Sequence, residues 1–313
     1  MKPAAPQVSI ITAAYKSDPG HLRAAVKSAI QQSWHEIDII VSDDSPDSRL
    51  GEVIESLQDQ RVRYRHNQPA LGVAENHWKC LREATGEFVV ILNQDDTLQP
   101  TFVERLLAPL RADAALALAF CDHWIIDTGG KQRVFETEAT SQRYGRTGLT
   151  AGAHRPFLHL LTRQTIPMAM GAMLRRALLP DSFPPDAGPA YDLWLTYLLC
   201  RTRLGAWYVP ERLSSWRAHS ANLTSVSDIG LLSGAARCWA AVACDPNTQA
   251  IRRSAIKRES QAYCACSRWY SQHHRREQSR NYAWRSLAAR ANWRALGLYA
   301  MGMLPMTLAR RLG

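Results

Sequence analysis

The segment Glu87-Phe-Val-Val-Ile-Leu-Asn-Gln-Asp95-Asp96 constrains the fold most strongly. Phe88 to Leu92 is apolar without alternation, which predicts a strand covered on both faces, as in a parallel sheet. That strand runs directly into two adjacent carboxylates. Functional groups in such sheets gather just beyond the carboxyl ends of the strands. Two carboxylates placed there repel each other and are costly to desolvate unless a cation sits with them. Oxygen donors suit Mg2+ or Mn2+, which often bridge to substrate phosphates. The pair therefore points to metal-dependent chemistry on a phosphate-bearing substrate. The same two residues also suit a solvated turn that caps a helix from Leu98 onward.

The first hundred or so residues alternate between strand and helix patterns. Strands are expected at Val8 to Ala14, Ile37 to Ser42, Val62 to Arg65, Phe88 to Leu92 and Ala115 to Cys121. Helices are expected at Pro19 to Trp34 (capped by Asp18), Leu50 to Leu57, Val73 to Ala84 (closed by Gly86) and Pro100 to Leu110. This rhythm means a mostly parallel α/β sheet flanked by helices. Residues 128 to 165 read as loop-rich with weak strands. Residues 166 to 176 and 205 to 217 read as strands, with a helix over Tyr191 to Cys200 between them. Beyond Asp228 the pattern is helical to the end. There, Ile256 to Gln272 and Gln278 to Ala300 could form an antiparallel hairpin.

At 313 residues the chain can bury a sizeable core. Its net charge is +10, but Pro246 to Gly313 holds 13 Lys plus Arg against 2 acidic residues, leaving −1 for everything before. The basicity belongs to a C-terminal appendage and suggests an anionic partner. The 7 cysteines are odd in number and show no C-x-x-C pair, which fits a reducing, cytoplasmic compartment. No signal-peptide core and no run of 18 apolar residues is found, so no spanning helix is expected.

Four strand ends share one edge of such a sheet, and their loops could line one crevice. Tyr15 offers a flat face for a base. Asp44 offers acceptors for an imide N–H or a ribose hydroxyl. Gly72 permits a sharp turn or a close backbone approach. Asp95 and Asp96 bring the cation. The ordered set Val8-Ser-Ile-Ile-Thr-Ala-Ala-Tyr15, Ile39-Ile-Val-Ser-Asp43-Asp44-Ser45, Leu71-Gly72-Val-Ala-Glu-Asn76 and Gly86 to Asp96 resembles the family-2 glycosyltransferases of GT-A fold. The resemblance covers about residues 6 to 225, implying a catalytic domain over 1–225 and a helical region over 226–313.

The resemblance implies roles position by position. Thr12, Ala13, Tyr15, Asp44, Gly72, Asn76, Asp95 and Arg217 would bind the nucleotide-sugar, with Asp44 on the base and Asp95 on ribose or sugar. Asp96 would be the main ligand of Mn2+ or Mg2+, and His219, in Trp216-Arg217-Ala-His219, would complete the metal shell. Asn93 stands where many members carry an acidic residue. Asp192, in Ala190-Tyr-Asp192-Leu-Trp-Leu, would be the general base that takes the acceptor proton. Tyr191 replaces the acidic residue that usually precedes it. Processive synthases of this family carry Gln-x-x-Arg-Trp and several membrane spans. Both are missing here, which favours addition of a single sugar; one in-line displacement, with Asp192 activating the acceptor from the opposite face, would invert the anomeric centre. The implied donor is a UDP-, dTDP- or GDP-sugar, and the implied acceptor a glycan or lipid-linked intermediate of bacterial surface polysaccharide synthesis.

A sugar-phosphate nucleotidyltransferase would open with a Gly-rich loop after strand one, which Thr12-Ala-Ala-Tyr15-Lys-Ser lacks. Dinucleotide-dependent oxidoreduction would need G-x-G-x-x-G there. A degenerate transferase serving as a membrane-associated assembly partner stays open, although Asp44, Asp95, Asp96 and Asp192 are all retained. In the basic tail, Tyr263, Trp269, Tyr270, Tyr282, Trp284, Trp293, Leu296 and Tyr299 recur at helical intervals. They suit either packing on the catalytic domain or an anionic leaflet at the inner face of a membrane, together with Leu296 to Leu308, Arg310 and Arg311. No nucleic-acid reading motif accompanies the charge.

Overall fold

The computed structural model describes residues 7–185, 187–219 and 228–303. Nine strands form one sheet: β1 (Val8–Ala14), β2 (Ile37–Asp43), β3 (Val62–His66), β4 (Phe88–Ile91), β5 (Thr97–Leu98), β6 (Leu116–Ile126), β7 (Gly152–His154), β8 (Ala172–Arg175) and β9 (Gly205–Arg217). The helices between them are α1 (Pro19–Ile30), α2 (Arg49–Glu55), α3 (Val73–Glu83), α4 (Phe102–Ala112), α5 (Val134–Arg143), α6 (Leu158–Arg163) and α7 (Tyr191–Cys200). Four more follow: α8 (Ile229–Cys244), α9 (Arg252–Gln272), α10 (Arg276–Ala289) and α11 (Trp293–Met303). The chain divides into two compact units. Among the described residues, one holds 7–183 with 195–219; the other holds 184, 185 and 187–194 with 228–303.

The sheet order is β3-β2-β1-β4-β8-β6-β9-β5, with β7 also paired to β9. The expected parallel rhythm holds for β1, β2, β3 and β4. Beyond β4 the sheet is mixed, because β8 enters antiparallel to both β4 and β6. β4 is apolar and fully buried, as an unalternated strand requires, and β1 is buried from Val8 to Thr12 with Ser9 and Thr12 among its apolar residues. Asp18 caps α1, its carboxylate accepting the N–H groups of Gly20 and His21.

Several local expectations are corrected. Asp95-Asp96 does not cap a helix from Leu98; a short strand, β5, intervenes before α4. Gly86 is not a helix cap, since α3 ends at Glu83 with Ala84 as its C-cap. A Cβ at Gly86 would lie 2.6 Å from the Ser9 nitrogen, so the residue allows the close approach of β1. The stretch read as loop-rich contains α5. Its buried residues are Thr137 and Ser141, so it shows no apolar stripe. Those hydroxyls satisfy β6 instead: Thr137 accepts from the Ile125 N–H, and Ser141 donates to Asp122.

In the second unit α9 and α10 run antiparallel as expected, but small residues form their seam. Ser260 and Ser286 each donate a hydroxyl to the other's carbonyl, at 3.0 and 2.7 Å. Ser267 and Ser279 repeat the exchange at 2.8 and 2.9 Å. The expected second arm breaks after Ala289, and Asn292 starts α11 by accepting the Ala295 N–H at 2.8 Å. No helix among the described residues is long and apolar enough to cross a membrane. The proposed basic end, from Leu304 to Gly313, lies outside them.

Candidate active site

The carboxyl ends of β1, β2 and β4 are adjacent in the sheet, and β9 brings Arg217 and His219 to the carboxylates beyond β4. Tyr15, just past β1, is half-exposed, with the Lys16 ammonium 5.2 Å from its ring centroid. Lys16 adopts a left-handed φ of 47°, and its N–H donates to Ser45 Oγ at 2.8 Å. The loop after β1 is thereby fixed to the loop after β2. Ala13 is partly exposed, whereas Thr12 is fully buried inside β1 and cannot reach a ligand with its hydroxyl.

Asp44 is buried at the end of β2. Asn67 donates to its Oδ1 at 2.9 Å and the Gly72 N–H to its Oδ2 at 2.8 Å. Each carboxylate oxygen keeps a further lone pair for a ligand donor. Gly72 has φ 86° and ψ 160°, a backbone region that a side chain would strain although nothing lies within 4 Å of a Cβ there. Asn76 is buried as well. Its amide donates to the Ser42 carbonyl at 3.0 Å and the Ala14 carbonyl at 3.5 Å, so it ties β1 to β2 rather than facing a ligand.

The two carboxylates past β4 have different surroundings. Asp96, expected as the main metal ligand, has 0% exposure. Its Oδ1 accepts the Arg217 N–H at 2.9 Å and its Oδ2 accepts from Asn93 at 3.0 Å. Burial, and then the Asp95 charge, push its carboxyl well above the ordinary range. Asp95, expected to hold ribose or sugar, instead places Oδ2 2.8 Å from His219 Nε2, and both side chains keep some exposure. The His219 ring stacks with His21, centroids 6.1 Å apart, and His21 Nε2 lies 3.1 Å from the Thr128 carbonyl.

Arg217, expected to reach the diphosphate, is buried and bonded to main chain. Its Nε donates to the Asp95 carbonyl at 2.8 Å, and its Nη1 to the carbonyls of Asp127 and Thr128 at 3.1 and 3.0 Å. It clamps the ends of β4, β6 and β9 together. Among the described residues no cluster of three or more His, Cys, Asp or Glu could hold a metal. At this edge Asp95 and His219 could offer an ion one carboxylate oxygen and one imidazole nitrogen. That set fits an ion whose remaining positions are filled by substrate phosphate and water.

Asp192 stands in the first turn of α7, where the resemblance expects it. It is partly exposed, and desolvation still pushes its carboxyl above the ordinary range; its Oδ1 accepts the Leu193 N–H at 2.7 Å. The sequence reading missed Gln94, His21 and Asn67. Gln94 and Asn67 act on neighbouring loops through side-chain amides, and His21 lies on the first turn of a surface helix. None sits in a pattern that marks such contacts in advance. The closing segment beyond His219 lies outside the described residues.

Residues 9–179 match the family model described as glycosyl transferase family 2, more than half of the chain. The chain belongs to that family and is a glycosyltransferase. Its fold is similar to that of S. aureus TarS (residues 1–349) in complex with UDP-GlcNAc, with TM-score 0.67 and 14% identity, covering 95% of this chain and 90% of that one. It is also similar to the mannosyltransferase PcManGT from Pyrobaculum calidifontis in complex with GDP-Man and Mn2+, with TM-score 0.60 and 16% identity, covering 96% and 80%. A Campylobacter jejuni GalNAc(5)-diNAcBac-PP-undecaprenol beta-1,3-glucosyltransferase is 35% identical over 96 residues, 30% of this chain and 31% of that protein.

Proposed function

We propose that the chain transfers a single sugar from a nucleotide-sugar to an acceptor hydroxyl, with inversion, in the synthesis of a bacterial lipid-linked or surface glycan. One observation carries this reading: Tyr15 and the Asp95–His219 pair belong to a single braced edge, because Gln94, next to Asp95, holds the Tyr15 main chain. A base on Tyr15, with Asp44 as acceptor, would leave the diphosphate directed toward Asp95 and His219. The TarS complex with UDP-GlcNAc and the mannosyltransferase complex with GDP-Man and Mn2+ support a nucleotide-sugar donor and a divalent ion. The Campylobacter relative supports a lipid-linked acceptor.

Asp95 and His219 would hold Mn2+ or Mg2+, with Asp96 beneath them as the residue that positions the loop. A bound ion would offset charge growing on the leaving diphosphate. Asp192, ionised, takes the proton from the acceptor hydroxyl. The acceptor oxygen forms its bond to the anomeric carbon as the bond to the diphosphate oxygen breaks, and that oxygen keeps the electron pair. One such displacement inverts the anomeric centre.

A nucleotide-sugar donor fits a cytoplasmic placement, and seven cysteines without a C-x-x-C pair agree with a reducing compartment. The basic second unit supports a place on the inner face of the membrane. Calorimetric titration with UDP-, dTDP- and GDP-linked nucleotides, with and without Mn2+, tests the reading. One nucleotide is expected to bind in a metal-dependent way that Asp95→Ala abolishes. No binding of any nucleotide with metal present leaves the assembly-partner reading in its place.

A further inference from the structure

The outward side of α11 is apolar where a helix facing water should be polar. Trp293 is 77% exposed, and Leu296 and Met303 are each 58% exposed. With Ala300, also exposed, they follow one side of the helix at intervals of three and four. The inner side carries small residues. Ala295 is fully buried, and a Cβ on Gly302 would come within 3.3 Å of Arg280 on α10. Trp284 of α10 extends the apolar surface; it is 59% exposed and 6.0 Å from the Tyr299 ring.

Cations bracket this surface at both ends. The Arg294 guanidinium lies 5.4 Å from the centroid of Trp293, and Arg280 Nη1 lies 3.8 Å from Met303 Sδ. Arg285 and Arg290 are exposed on the same hairpin, and between Arg275 and Met303 the only acidic residue is Glu277. The described part of the helix, 11 residues, is about 17 Å long at the usual rise, a length suited to lying in a bilayer surface. An exposed indole beside arginine matches the region where acyl chains meet headgroups.

We infer that this face of α10 and α11 docks on an anionic lipid bilayer, with α11 lying in the plane of the interface. The charge pattern favours this occupant over a second copy of the chain. A two-fold contact through the face would bring the same arginines together. A bilayer rich in anionic headgroups takes the apolar stripe and the flanking arginines at once. This deepens the membrane placement proposed above, and rests on it, but does not depend on which sugar is moved.

The test is sedimentation of the full chain with vesicles of phosphatidylcholine alone or with phosphatidylglycerol, followed also by tryptophan fluorescence. The protein should pellet with the anionic vesicles, with an emission shift to shorter wavelength. Leu296→Glu should weaken binding at least about tenfold, from the cost of placing a charge in the apolar layer. Trp293→Ala should weaken it too, and removes a side chain too exposed to support the fold. Both variants should keep the wild-type thermal melt and nucleotide titration. Failure of the nucleotide titration is thus separable from failure of the membrane contact. Equal pelleting of wild type and both variants overturns the inference, as does wild type that ignores anionic vesicles. A dimer in light scattering that Leu296→Glu dissociates, without vesicle binding, assigns the face to self-association and overturns it as well.

Discussion

Gln94 grips Tyr15 by the main chain: its Oε1 accepts the Tyr15 N–H at 2.8 Å, and its Nε2 donates to the Tyr15 carbonyl at 3.4 Å. The residue next to the partly buried Asp95 carboxylate therefore sets the position of the exposed ring. Gln94→Ala removes the brace without touching either group. Each such hydrogen bond contributes about 0.5–1.5 kcal/mol net, so nucleotide affinity is expected to fall roughly threefold to tenfold. Titration calorimetry measures this directly. Unchanged affinity would show that the Tyr15 loop keeps its place without Gln94.

Asp95 and Asp96 are neighbours in sequence with separable tasks. Asp95→Ala removes an oxygen from the site but leaves Asp96 and its partners intact. Loss of Mn2+-dependent nucleotide binding with an unchanged melting temperature is expected. Asp96→Ala leaves the buried Arg217 N–H and the Asn93 amide without their acceptor. An unsatisfied buried donor costs about 1–3 kcal/mol, so this variant should melt several degrees lower. Thermal melts run beside the titrations distinguish the two. A stable Asp96→Ala protein that loses only metal would return the ligand role to Asp96.

The pattern of what the sequence disclosed follows from how each residue is used. β1, β2 and β4 were legible because they are largely buried on both faces and their mostly apolar runs record that burial, whereas β3, Val-Arg-Tyr-Arg-His at the sheet edge, was legible from its alternation. The turn from parallel to mixed was not. It depends on β8 inserting between β4 and β6, a long-range pairing with no local signature. α5 was hidden because its inner face is Thr137 and Ser141. At the site, residue types pointed to the right loops: Tyr15, Asp44, Gly72, Asp95, Asp96, Arg217 and His219 all lie at one sheet edge. Which carboxylate faces outward was not legible, because that is decided by the Arg217 N–H and Asn93 closing over Asp96. Even the reach of β6 past Cys121 was invisible. Asp122 and His123 look like the end of a strand until Arg146 arrives from a distant loop.

Burial raises the Asp192 carboxyl, and a general base acts only when ionised. Turnover should therefore rise with pH through that raised value, placing the acid limb of the profile above the ordinary carboxylate range. Asp192→Asn should remove that limb and lower kcat by about a hundredfold or more. Stability moves the other way. A carboxyl whose folded value is raised holds its proton more tightly in the fold, so its contribution is full below the ordinary value and lost as pH rises through the raised one. Asn mimics the protonated form, and Asp192→Asn should melt no lower than wild type at neutral pH. A variant that is inactive but destabilised would assign Asp192 to the fold instead.

Asp122 and Arg146 form a buried ion pair, with Arg146 Nε donating to Asp122 Oδ1 at 2.6 Å. Ser141 also donates to Asp122, at 2.6 Å, and Arg146 Nη1 donates to the Thr165 carbonyl at 3.0 Å. Burial acts to raise the Asp122 carboxyl, but the Arg146 charge, the Ser141 hydroxyl and the His123 N–H outweigh it, and the net shift is downward. The sign is then that of a stabilising carboxylate. Its contribution is present above the ordinary carboxylate value and lost as pH falls through the lowered one. Removing Arg146 leaves Asp122 with the more distant Arg212, 3.7 Å away, so the cost lies at or below the about 3–5 kcal/mol of a fully stranded buried charge. Arg146→Met should accordingly unfold at markedly lower urea concentration at neutral pH. The gap between wild type and variant should narrow on acidification, as Asp122 takes a proton and loses its need for the guanidinium. Urea denaturation at neutral and acid pH measures both. A gap that stays constant with pH would mean that Arg146 acts through packing and its bond to Thr165 rather than through charge.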